Sequence, residues 1–173
     1  ERQSFFVKLF GDDNKKDQKK KKQKPIIIWG KKEVDFGSFH KVMNWSPDGK
    51  KLVYTKSHFG KHQSLVNDIK VYDLDSENSV WLTESFRASY PDWSPDGERI
   101  LFASDRDGDY EIFVMDAADG SNPTQLTFNG QDDDYPEWSP DGRRITLSVT
   151  MEDGEFVHLT SPVGGWGRVR RGS

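Results

Sequence analysis

The pentapeptide WSPDG occurs three times, at Trp45–Gly49, Trp93–Gly97 and Trp138–Gly142. Its serines, Ser46, Ser94 and Ser139, stand 48 and 45 residues apart. A repeat at roughly 40–50 residues matches one four-stranded unit of a radial β-sheet array, and such a period decides the fold before any other feature does. Each copy follows a short aromatic-rich run and precedes an apolar run. Within SPDG, proline at the second position presets φ for a type I turn and glycine closes it.

The best-formed unit runs from Ala88 to Thr127. ASYPDW reads as a strand, SPDG as a turn, ERILFAS as a second strand, DRDGD as a turn, YEIFVMD as a third strand, AADGSNP as a turn and TQLTF as a short fourth strand. Apolar residues fall on both faces of the second strand, Ile100 and Phe102 against Leu101 and Ala103, so both faces are expected to be covered. Four strands joined by three tight turns make one antiparallel sheet. The preceding unit repeats this order with SFHKVMNW, KKLVYTK, DIKVYDLD and VWLTES. The following unit has DYPEW, RRITLSV and EFVHLT, with its fourth strand undefined by sequence within SPVGGWGRVRRGS.

At the N-terminus, QSFFVKLF and PIIIWG read as a third and a fourth strand of an incomplete unit. Between them GDDNKKDQKKKKQK is too charged to pack and is expected to be disordered. The chain is thus expected to comprise a partial blade over 1–37 with a Lys-rich loop at 11–24, then blades over 38–87, 88–133 and 134–173. The fold class is all-β, built of four-stranded antiparallel blades in an incomplete ring.

The register of WSPDG with SDRDG, EIFVMD and QLT resembles the WD-like repeat of TolB-type β-propellers, closely over 88–144 and more loosely over 38–85. The resemblance implies six or more blades in a closed ring, of which this chain supplies about three and a half. A blade needs a neighbour on each face, and closure protects strand edges. An open array is therefore expected to expose an apolar face and to be completed by further blades or by self-association.

Composition narrows the function. Only 33% of the chain is hydrophobic against 31% charged, so the core is thin. There is no cysteine, which excludes disulfides, thiol nucleophiles and zinc–thiolate sites. No apolar run reaches the roughly 18 residues of a membrane-spanning helix, so no membrane insertion is expected. The chain begins at Glu1 and shows no signal peptide. Residues 88–142 carry fourteen acidic and two basic side chains, net −12, between basic ends. The run KKDQKKKK lacks interleaved aromatics and reads as a solvated loop, so no nucleic-acid partner is expected.

No catalytic group is assigned. The serine of SPDG is repeated three times between the same strand types, which marks architecture. No GxSxG elbow is present, and His40, His58, His62 and His158 sit in no triad motif. In DRDGDYE, alternate Asp105, Asp107 and Asp109 offer oxygens to Ca²⁺, which takes about six to eight. The spacing departs from the EF-hand pattern, so a solvated hairpin is the preferred reading and neither metal nor cofactor is assigned. The candidate partner-binding residues lie just before each WSPDG, where the segments SFHKVMN, RASYPD and QDDDYPE differ most: His40, Ser89, Tyr90, Asp132, Asp133, Asp134 and Tyr135. His40 and Asp133 each stand six residues before the serine of their own copy. In a propeller of this type these loops face the channel mouth, and adjacent carboxylates there would favour a cationic or basic partner. The resemblance implies a non-catalytic protein-interaction scaffold, periplasmic or secreted. The alternative is the propeller of a prolyl oligopeptidase-type serine peptidase whose catalytic domain lies outside this chain. A propeller lyase would need several channel histidines, which this chain lacks.

Overall fold

The computed structural model describes residues 26–29, 32–35, 39–60, 63–151 and 154–163, with side chains from Met43 onward. The expected strand QSFFVKLF, the Lys-rich loop and the C-terminal segment after Val163 lie outside the described residues. The chain divides into two compact units, Glu1–Phe39 and His40–Ser173. In the first, β1 (Ile26–Trp29) pairs antiparallel with β2 (Lys32–Asp35), Ile26 opposite Asp35. The apolar run IIIW forms a strand as expected. Its partner is the charged KEVD, whose alternation carries no apolar face to reveal it.

The second unit contains three antiparallel sheets. The first orders β3 (Phe39–Trp45), β4 (Lys51–Phe59), β5 (Leu65–Asp73) and β6 (Asn78–Trp81). The second orders β7 (Ala88–Trp93), β8 (Arg99–Ser104), β9 (Glu111–Asp116) and β10 (Thr124–Gln125). The third has β11 (Asp132–Trp138), β12 (Arg144–Thr150) and β13 (Phe156–Pro162). Within each sheet, sequential neighbours pair, as in a meander. These are successive blades of an incomplete β-propeller.

Hydrophobic burial fixes the stacking. Val53, Ile69, Val71 and Leu82 of the first sheet meet Ile100, Phe102, Phe113 and Met115 of the second. The Phe102 and Phe113 rings stack at 5.6 Å. The opposite face of the second sheet, Leu101, Ala103, Ile112 and Val114, meets Ile145, Leu147 and Val149 of the third. Both faces of β8 are buried, as its double apolar pattern requires. Burying a side chain such as Phe102 contributes about 1.5–3 kcal/mol. Trp93 is buried in the first seam and Trp138 packs against the second, so the tryptophans of the second and third repeats pack between sheets.

The third sheet turns a different face away from that core. Thr146, Ser148 and Thr150 alternate with the buried Ile145, Leu147 and Val149. Across the ladder they pair with Thr160, His158 and Phe156, and Ser148 Oγ lies 2.9 Å from His158 Nδ1. Where an apolar outer face is expected, the described residues present a largely polar one.

The loops between sheets leave little tolerance. Gly120, at φ +76°, closes the β9–β10 turn, and a Cβ there would stand 2.1 Å from the Leu82 carbonyl oxygen of the first sheet. No other residue fits that approach.

Candidate functional site

The three WSPDG turns are built alike. Gly49, Gly97 and Gly142 each donate N–H to the carbonyl of the serine three residues back, at 2.8–2.9 Å, and all have positive φ. Ser46, Ser94 and Ser139 Oγ donate to Asp48, Asp96 and Asp141 at 2.5–2.6 Å. The same serine oxygens accept the amides of Lys51, Arg99 and Arg144 at 2.9 Å. Serine hydrogen bonding first, and a backbone amide second, hold these aspartates below the ordinary carboxylate range. Serine and aspartate are therefore consumed in shaping the turn. Consecutive turns also touch: an added Cβ on Gly97 or Gly142 would meet Pro47 or Pro95 Cδ of the preceding turn at 3.7 Å.

Ser89 and Tyr90 belong to β7, and Asp132, Asp133, Asp134 and Tyr135 to β11. By sequence Asp132 and Asp133 precede the DYPEW strand, in a loop that Asp134 ends. All three are instead the first residues of a strand, opposite Thr150, Val149 and Ser148. Cross-strand hydrogen bonding overrides the poor strand propensity of aspartate. The backbone of His40 lies in β3, and its side chain falls outside the described residues.

Both β7 and β11 carry a register shift at the same repeat position, between Ser89 and Asp92 and between Asp134 and Glu137. At each shift a tyrosine before proline takes positive φ, +55° at Tyr90 and +53° at Tyr135. A bulky residue before proline rarely adopts this conformation, so the surrounding ladder holds it there. The result brings the two rings together at 4.3 Å, tilted by 41°. Burial, then the hydrogen bond with Tyr135, raises the Tyr90 hydroxyl above its usual range. Tyr135 is 48% exposed, so the pair has a surface-facing member.

Around the tyrosines stand unevenly compensated acids. Asp134 is raised to about 6 by burial, then by the charges of Asp132 and Asp105, and its Oδ1 is buried without a hydrogen-bond partner among the described residues. Asp105 forms a two-pronged pair with Arg87, 2.8 Å from Nε and 2.5 Å from Nη2. Asp107 meets Arg106 at 3.3 Å. Of the proposed Ca²⁺ ligands, two are thus engaged by arginine. Among the described residues no group of three or more His, Asp or Glu is arranged to hold a metal. Ser89 is buried and accepts from Asn67 Nδ2 at 3.4 Å, so it joins two sheets and offers no free hydroxyl surface.

Two arrangements escaped the sequence reading. The residue before the tryptophan of the first and second repeats bridges to the next sheet: Asn44 Nδ2 donates to the Pro91 carbonyl at 2.9 Å, and Trp138 N–H donates to Asp92 Oδ2 at 2.8 Å. The polar residue in NW and DW was the available signal. The second is an acid lock. Asp68, the fourth residue of β5, accepts from Thr83 Oγ1 and the Ser85 and Phe86 amides at 2.7–2.9 Å, and His58 Nε2 lies 2.7 Å away. In the second sheet Glu111 accepts from Thr127 Oγ1 and, at 3.1 Å, from the Asn129 amide. The threonines in turn accept the Ile69 and Ile112 amides at 2.9 Å. The pattern Asp-Ile or Glu-Ile, followed by Leu-Thr about 15 residues later, was legible as a repeat in its own right.

A separate cleft of about 600 Å³ is lined by His58, Phe59, Trp81 and Glu84, among others, at the outer corner of the first sheet. Trp81 packs on His58 at 4.5 Å.

Comparison with curated protein sequences yields no match. Solved structures match well. TolB from Acinetobacter baumannii superposes with a TM-score of 0.66 at 23% identity, over 81% of this chain and 36% of that one. A putative TolB from Agrobacterium tumefaciens gives 0.68 at 26% identity, over 83% and 54%. A prolyl endopeptidase structure gives 0.61 at 18% identity, over 83% and 25%, a likeness of fold alone. The chain thus spans a third to a half of the TolB structures it resembles. The TolB beta propeller domain profile matches residues 31–163, which takes in all three WSPDG copies, and the chain belongs to that family.

Proposed function

We propose that this chain is part of a non-catalytic scaffold that binds a protein partner where β7 and β11 begin, on the rim around Tyr90, Asp132, Asp134 and Tyr135. The carrying observation is the Tyr90–Tyr135 pair, set by two strained bulges at matching repeat positions. Backbone strain of this kind concentrates at sites of recognition. An exposed tyrosine beside carboxylates suits a partner with an apolar or aromatic anchor and a basic flank. Membership of the TolB family supports a periplasmic location and a role in protein interaction. In this reading further blades, or a second copy, complete the ring. His40 joins the rim by repeat position, while Ser89 and Asp133 support it from within.

The test is site-specific photo-crosslinking in cells, with the probe at Tyr135 and a control probe at Asp75 on the exposed β5–β6 turn. A single discrete partner captured only from Tyr135 is expected, and its purified form should bind the Tyr135→Ala variant about tenfold or more weakly. Equal capture from both positions, or unchanged affinity, sinks the proposal. The peptidase reading stands second, supported by the prolyl endopeptidase likeness. A GxSxG elbow in the same polypeptide beyond these residues would favour it.

A further inference from the structure

The acid lock repeats in the first two sheets with one chemical difference. Asp68 has a titratable base, His58, at 2.7 Å and three further donors. Glu111 has no cation beside it among the described residues. In its place a second carboxylate closes in from the third sheet. Asn129 holds both: its amide N–H donates to Glu111 Oε1 at 3.1 Å, and its Nδ2 reaches the two Asp133 oxygens at 3.0 and 2.8 Å. Asp133 is wholly buried and Glu111 is 5% exposed. The residue equivalent to His58 is Arg106, which lies over the Phe113 and Phe86 rings at 4.1 and 4.8 Å and pairs with Asp107. The other charged group nearby, Arg87, is engaged by Asp105. What else faces the pair is acidic or phenolic: Asp109 and Tyr110 at the head of β9, and Asp132 and Asp134 on β11.

The seam between second and third sheets runs through this place. Asp133 N–H donates to the Tyr110 carbonyl at 2.8 Å, and Tyr110 N–H donates to Asp132 Oδ1 at 3.0 Å. Two buried carboxylates with no counter-charge cannot both be ionised cheaply. We propose that the Glu111–Asn129–Asp133 lock holds a proton at neutral pH, and that losing it as the pH rises loosens the third sheet from the second.

Burial, before any other cause, raises both carboxyls above their ordinary range, and Asp133 raises Glu111 further. The two titrate as a pair. A carboxyl whose folded pKa is raised binds more protons folded than unfolded, so its contribution falls as pH climbs from the ordinary carboxylate range through the folded value. The first sheet has no such acid–acid pair among the described residues, and with His58→Gln removing the imidazole beside Asp68 it serves as an internal control.

Two measurements on the intact chain test this. Carboxyl ¹³C NMR from pH 3 to 9, assigned with Glu111→Gln and Asp133→Asn, should show at least one of the pair still protonated at pH 7, where a free carboxyl is fully ionised. Hydrogen exchange, corrected for intrinsic rate, should show protection of the Asp133 amide falling about tenfold from pH 5 to pH 8, with the Ile69 amide of the His58→Gln chain flat by comparison. In Glu111→Gln, nearly the same shape without the charge, the fall at Asp133 should disappear. Ordinary titration of both carboxyls, a flat Asp133 amide, or a fall retained in Glu111→Gln would each overturn the proposal. The wild-type NMR titration decides even where a variant fails to fold.

Discussion

The first and second sheets use one scaffold device and neutralise it differently. In the first, a buried aspartate gathers four hydrogen-bond donors, one of them a histidine. In the second, a buried glutamate has a threonine and the backbone amides of Asn129 and Gly130, and an asparagine ties it to another acid. The threonine and the strand amide beneath it are common to both, so the repeat dictates the geometry. The flanking residues decide the charge. A repeated fold can therefore surround the same buried acid with donors in one blade and set it beside a second acid in the next.

Breaking the first lock should have the largest effect. Asp68→Ala strands the Thr83 hydroxyl, two amides and His58 in a buried site, and should cost about 3–5 kcal/mol in urea unfolding. A loss below about 1 kcal/mol would show that the site relaxes around the gap. Removing the shared element sharpens the comparison. Thr83→Val and Thr127→Val each delete a hydroxyl that links acid to strand amide, and should cost about 1–3 kcal/mol. In a His58→Gln background, which takes the imidazole out of the first lock, only the second variant should change the pH dependence of unfolding, because its lock has an acid neighbour. The smallest effect is expected at the turns, which both sheets share. Ser94→Ala removes a buried hydroxyl bonded to Asp96 and to the Arg99 amide, at about 1 kcal/mol, and Ser139→Ala, in the more exposed third turn, should cost less. Equal losses at the two serines would separate turn geometry from burial.

Architecture was open to reading from the sequence because it rests on residues whose backbone preferences are strong. Proline and glycine in WSPDG fix the turn, and the double-sided ILFA run requires a covered strand. The rim was less legible. Asp132–Asp134 looks like a loop by composition, and only pairing with Leu147-flanking Ser148, Val149 and Thr150 makes it a strand. The bulges at Tyr90 and Tyr135 left no trace, because Tyr-Pro favours extended backbone and the positive φ is imposed by the partner strands. The acid lock had a visible pattern that motif reading overlooked, since an acid at a strand head, as Glu111 is, normally passes as a solvated end. Asn129 could not be found at all without the fold, which brings it within reach of two carboxylates from different sheets.

The bridges from Asn44 and Asp92 have a consequence for blade order. At the first seam the side chain must donate, because it meets the Pro91 carbonyl; at the second it must accept, because it meets the Trp138 amide. Asparagine offers both a donor and an acceptor, whereas ionised aspartate only accepts. A shuffled chain with Asp92 in the position of Asn44 would set a carboxylate against a carbonyl oxygen, while the reverse exchange would still find a bond. The polarity of one side chain in each of these two blades thus writes a direction into the array, and the copies, though alike in outline, have ceased to be interchangeable parts.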